Sequence, residues 1–179
     1  MNRTLRLLLA LVVAAGAPAL GQAQKNQKPA PRTLQGLVSH VSDGDTLTLQ
    51  LPDRAPMQVR LRDIDAPEIC QPWGEEAQRA LADLALNKVA TLQVSARDSY
   101  GRTIGTLLID DLNVSRFLVE NGHAWSVRTR WDQGPLVKQE KVARALSRGL
   151  HGQGGAVQPK EWRRTRGPCP RPEAPAAKN

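Results

Sequence analysis

Residues 33–64 constrain the fold most. Three β-rich runs, 33–41 (TLQGLVSHV), 45–51 (DTLTLQL) and 57–64 (MQVRLRDI), are separated by Asp43-Gly44 and by PDRAP, both turn-forming. In the second run Leu47, Leu49 and Leu51 alternate with Thr46, Thr48 and Gln50, the period of a half-buried strand. A three-stranded antiparallel meander is expected, with the third strand ending at about Ile64.

Carboxylates break these runs: Asp43, Asp45, Asp63 and Asp65, then Glu68. Aspartate is depleted in strands, and a carboxylate near a core is costly unless a cation meets it. The cation is either a metal or an arginine.

From Gly74 the period changes. Ala77, Leu81, Leu84 and Ala85 fall on one helical face, with Glu75 and Glu76 in the first turn, so a helix is expected to about Asn87. Strands follow at 89–96 and 103–109, joined by RDSYGR. A helix over 114–121 is capped by Asn121-Gly122, and another runs over 135–148, with Gln139, Val142, Ala143, Leu146 and Leu150 turned inward. The order βββαββαα describes an α+β chain, mainly β barrel: a five-stranded Greek-key barrel of the OB type with three helices.

At the start, Arg3 and Arg6 precede an apolar run over 7–15 and small residues at Gly21 and Ala23. This reads as a signal peptide over 1–23, since the run is far shorter than the roughly 20 residues that span a bilayer; Ala17-Pro18-Ala19 offers a second cut. Export to the periplasm or medium is expected, with no membrane association after cleavage. A flexible leader covers 24–32, the domain 33–150, and a basic, partly disordered extension 151–179. The formal net charge is +8, or +6 without Arg3 and Arg6. Such a balance suits a polyanion, nucleic acid foremost, or a solvated basic surface. No protein partner is implied, and a monomer is expected. The two cysteines, Cys70 and Cys169, are expected to form a disulfide in an oxidising compartment, two separate thiols being the alternative.

Asp43, Asp45, Asp65 and Glu68 supply hard oxygens with no His or Cys at ligand spacing, which selects Ca²⁺, Mg²⁺ or Mn²⁺ over Zn²⁺. Arg60 and Arg102 supply planar donor forks for a phosphate. A metal-assisted phosphodiester hydrolase needs these parts.

The motifs DGDT (43–46), VRLRDIDAPE (59–68) and DSYGR (98–102), in this order, resemble the staphylococcal nuclease family over about residues 33–150, including NVSRFLVENGHAW. The resemblance implies an OB-fold and a Ca²⁺-dependent endonuclease acting on DNA and RNA to leave 3′-phosphate ends. It implies that Asp45, Asp65 and the backbone carbonyl of Ala66 hold the ion, with Asp43 behind them. Alanine stands at 66 where the best-known member has threonine, and a carbonyl ligand survives that change. Glu68 becomes the general base or the residue that orients the attacking water, Arg60 and Arg102 the phosphate ligands, and Tyr100 either a substrate contact or a structural residue. The alternative is a non-catalytic nucleic-acid-binding module, which would dispense with these acidic and arginine positions.

Arg62 and Asp63 read as surface strand residues, His123 as a packing or hydrogen-bonding residue, and Trp73, Trp125 and Trp131 as core or loop anchors. The stretch KEWRRTRGPCPR (160–171) either helps hold nucleic acid or is a solvated basic tail pinned by Cys169.

Overall fold

A computed structural model describes residues 32–129 and 131–170. The segment read as a signal peptide, most of that read as a leader, and residues beyond 170 lie outside the described residues. Strands β1 (Thr33–Val41), β2 (Thr46–Gln50) and β3 (Met57–Leu61) form the expected meander, with Val38 opposite Leu49 and Leu47 opposite Val59. After a two-residue strand β4 (Ile64–Asp65) and helix α1 (Gly74–Ala85) come β5 (Val89–Arg97) and β6 (Thr103–Ile109). The sheet order β3-β2-β1-β5-β6 is closed by parallel pairing of β3 with β6, Arg60 opposite Ile104. This closed five-stranded barrel is the OB architecture. Register shifts at Val38/His40 in β1 and Val94/Ala96 in β5 give the strands the bends that closure needs.

The barrel interior is the leucine face read from β2. Leu47, Leu49, Val59, Leu92 and Leu107 are fully buried, and Ala77, Leu81 and Ala85 of α1 cover one end. Strand β7 (Leu112–Asn113) leads into α2 (Val114–Glu120), whose cap is the Asn113 side chain accepting the Arg116 N–H at 3.0 Å. Then come β8 (Trp125–Ser126), α3 (Val137–Ala145), a 3-10 turn (Gly149–Gly152) and α4 (Pro159–Arg166). Among the described residues no helix is long and apolar enough to cross a membrane.

Four sequence expectations need correction. The third strand stops at Leu61, because Asp63 turns to φ 69° before β4 pairs with β8. Arg62 and Asp63 are therefore turn residues, ion-paired at 3.2 Å. Helix α3 does not bury the stripe as read: Ala143 and Leu150 are inside, but Val142 and Leu146 are exposed and Glu140 is fully buried. A fourth helix, α4, occupies the extension read as partly disordered, since helical periodicity is hard to see in eight residues with one apolar side chain besides the leading proline.

Candidate active site

The carboxylates meet where β2, β3 and β4 converge. Asp45 ends the β1–β2 turn with its carboxylate 2% exposed; its Oδ1 pairs with Arg60 Nη1 and accepts the Thr46 hydroxyl at 3.1 Å, and its Oδ2 accepts the Ala66 N–H at 2.8 Å. Asp43, half-buried, accepts the Asp45 N–H at 2.9 Å and so fixes the turn. Gly44 packs against the layer below: a Cβ there would lie 2.7 Å from Cβ of both Ala66 and Ala77. The glycine of DGDT is thus required by its close approach to Ala66 and to α1.

Arg60 spans two acids, bonding Asp65 Oδ1 at 2.7 Å through Nη2. Burial raises the Asp45 carboxyl pKa well above its usual range, against the pull of Arg60; the nearby Asp43 and Asp65 charges also raise it, while the Ala66 N–H lowers it. Burial works against the Arg60 charge too, but Asp45, Asp65 and Asp43 together hold its pKa above the ordinary value. The turn at 62–63 lets Arg60 and Asp65, an odd number of residues apart, face one another across the end of β3.

Glu68 lies in the irregular segment between β4 and α1. Its N–H donates to Gln71 Oε1 at 3.2 Å, and its carbonyl accepts the Gln71 N–H at 2.8 Å. Gly74 closes this segment onto α1, where a Cβ would sit 2.0 Å from the Glu68 carbonyl oxygen. Across the cleft, the β5–β6 turn is organised by Asp98, which accepts the Tyr100 and Arg102 N–H groups at 3.0 and 2.9 Å and Arg102 Nε at 2.7 Å. Although desolvation acts upward, the bonds from Arg102 and Tyr100 hold the Asp98 pKa below its usual value. The Arg102 guanidinium sits 5.5 Å from the centre of the Tyr100 ring, which is 83% exposed.

Asp43, Arg60, Glu68, Tyr100 and Arg102 line one open cleft of about 730 Å³; Asp45 and Asp65 are bonded to its Arg60, and Asp65 lines a neighbouring hollow of about 350 Å³ that shares Arg60 and Arg163. The structure therefore brings together the residues singled out in the sequence, except that Arg102 is turned onto Asp98. A separate hollow of about 360 Å³ lined by Trp73, Trp125 and Trp162 holds none of them. Arg163 completes the cleft: from α4 it bonds Glu68 Oε1 at 2.5 Å and Asp65 Oδ2 at 3.2 Å. The Cys70–Cys169 disulfide forms as expected and holds α4 beside the cleft. His123 accepts the Trp73 indole N–H at 3.3 Å, Trp125 is buried, and Trp131 stays exposed rather than anchoring a core.

A closed OB barrel with paired acids and arginines at the end of its third strand defines a nuclease-like class. Residues 58–152 match the staphylococcal nuclease homologue family. The chain is 37% identical over 147 residues to protein ParB of Escherichia coli, covering 76% of this chain and 82% of that one. It is 33% identical over 147 residues to a micrococcal nuclease of Shigella flexneri, covering 76% and 84%. A probable staphylococcal-like nuclease of Oryza sativa subsp. japonica is 36% identical over 107 residues, 60% of this chain but only 29% of the longer plant protein. The chain belongs to the staphylococcal nuclease family, and its nuclease relatives support a nuclease function.

Proposed function

We propose that the chain is an exported, Ca²⁺-dependent endonuclease that hydrolyses phosphodiester bonds of DNA and RNA to leave 3′-phosphate ends. The observation that supports this reading is the convergence of Asp45 and Asp65 on Arg60, which lines a cleft together with Glu68, Tyr100 and Arg102. Burying Asp45 at an open cleft is costly, and a module that only gripped the nucleic-acid backbone would have no use for it.

The donors fit a hard divalent cation in kind. Among the described residues no three His, Cys, Asp or Glu side chains form a cage, but two carboxylates share one cationic group, the Arg60 guanidinium. Asp45, Asp65 and the Ala66 carbonyl would hold the ion, leaving positions for water and substrate as in oxygen-rich Ca²⁺ sites. When bound, the ion supplies a Lewis acid beside the phosphate.

The protein residues do the rest. Arg60 and Arg102 donate to the phosphate oxygens, where charge grows most in the transition state. Glu68 accepts a proton from the attacking water as its oxygen bonds to phosphorus, and the 5′ oxygen departs as its bond to phosphorus breaks, taking a proton from solvent. Tyr100 offers its exposed ring to a base or sugar.

The test is to incubate mature protein with single- and double-stranded DNA and with RNA, in Ca²⁺ or EDTA, alongside Glu68→Gln. Cutting in Ca²⁺ alone, lost in Glu68→Gln with binding retained, is expected. A wild type that binds these nucleic acids but cuts none with any divalent metal refutes the enzyme and leaves the binding module.

A further inference from the structure

We infer that Arg163, carried in by α4 of the C-terminal extension, is a positioning residue of the nuclease site that fixes the Glu68 carboxylate; the inference rests on the proposed role of Glu68 as base. Glu68 is a long, half-buried side chain on an irregular segment, and among the described residues its carboxylate bonds only to Arg163. Arg163 spans both acids: Nη1 reaches Glu68 Oε1 at 2.5 Å and Asp65 Oδ1 at 3.4 Å, and Nη2 reaches Asp65 Oδ2 at 3.2 Å. A planar guanidinium bonded to both carboxylates fixes their separation, which one ammonium cannot do as well.

The delivery of Arg163 is tied to the segment it orders. Gln71 Nε2 donates to the Val157 carbonyl at 2.6 Å, and Cys70 is bonded to Cys169. Residues 70 and 71 thus anchor both ends of the segment carrying Arg163, which stands six residues from either anchor. Arg163 is a wall and not a plug, because the cleft of about 730 Å³ stays open between it and Tyr100 and Arg102. A base held in its working geometry needs less ordering during the reaction, and a misplacement of about 1 Å costs about 10²-fold in rate.

The test compares Arg163→Ala, Arg163→Lys and, as control, Arg164→Ala, whose side chain among the described residues bonds Glu161 on the exposed side of α4. With folding confirmed by thermal melting, Arg163→Ala is expected to lower kcat about 10²-fold with KM nearly unchanged. Arg163→Lys should recover part of the loss, and Arg164→Ala should keep the wild-type kcat. The ¹³C carboxylate resonance of Glu68 should shift in Arg163→Ala but not in Arg164→Ala, a readout that holds even if the protein does not cut. Should alanine not fold, Arg163→Gln takes its place. An unchanged Glu68 resonance, an unchanged or raised kcat, an effect on KM alone, or an equal loss in Arg164→Ala overturns the inference. A wild type that does not cut refutes the nuclease reading instead.

Discussion

Asp45 immediately precedes Thr46, which pairs in register with Arg60, so the β2–β3 ladder itself sets the Asp45–Arg60 ion pair. The main chain reinforces it, the Leu61 N–H donating to the Asp45 carbonyl at 2.8 Å.

Arg60→Ala should therefore be costly. It leaves a buried carboxylate with only the Thr46 hydroxyl and the Ala66 N–H, and a stability loss of about 3 kcal/mol is expected at neutral pH. Because the folded Asp45 pKa is already raised, the cost applies above that pKa and shrinks as acid protonates the carboxyl. Urea melts at neutral and mildly acidic pH should show the deficit narrowing, and Ca²⁺ should stabilise the variant by binding the folded state.

His123 gives a second pH dependence of opposite sign. Burial lowers its pKa below 6.5, and its Nδ1 is the acceptor for the Trp73 indole N–H, so protonation sets donor against donor. The folded state disfavours the proton, so stability is present above 6.5 and falls as the pH drops through the lower folded value. Melting temperature measured from pH 7 downward should fall more steeply in the wild type than in His123→Gln.

Glu140 links α3 to the site. It is fully buried, accepts the Ser126 N–H at 3.0 Å and meets Arg128 and Arg144 at 2.7 and 2.8 Å; Ser126 in turn pairs with Ile64, next to Asp65. Glu140→Ala is expected to cost about 3 kcal/mol and to slow cleavage through β4, whereas Glu140→Gln should cost less. Melts combined with cleavage rates check both.

Tyr100→Ala should leave stability unchanged, since the ring is 83% exposed. If the ring stacks on the substrate, KM rises about tenfold, within the 1–3 kcal/mol typical of base stacking, and Tyr100→Phe retains most of the affinity. Titration of binding to single-stranded DNA without Ca²⁺ reads the same effect without chemistry.

The meander, the two strands beyond α1 and the candidate site residues were legible because each leaves a local mark: alternating leucines, turn dipeptides, carboxylates where strands avoid them. Glu140 was not, because a charged residue among apolar ones reads as the solvent side until its partners, Arg128 and Arg144, are seen in space. Strands β4 and β8 are two residues each, too short to show a period. Arg163 looked like one more cation in a basic stretch. Its position was implied only by Cys169, since a bridge to Cys70 brings the chain within reach of Glu68.

Replacing Cys70 and Cys169 with serine should cost about 2–5 kcal/mol and make α4 the first segment cut by protease. Mass spectrometry of early fragments, with and without reductant, is the check.

The bridge also joins early and late parts of the chain. The partners of the β3–β6 seam lie at 57–61 and 103–109, so the barrel has all its strands while α4 is still unmade. Glu68 waits for a residue synthesised 95 positions later. The cleft thus draws its last wall from the far end of the described chain, beyond every strand of the barrel.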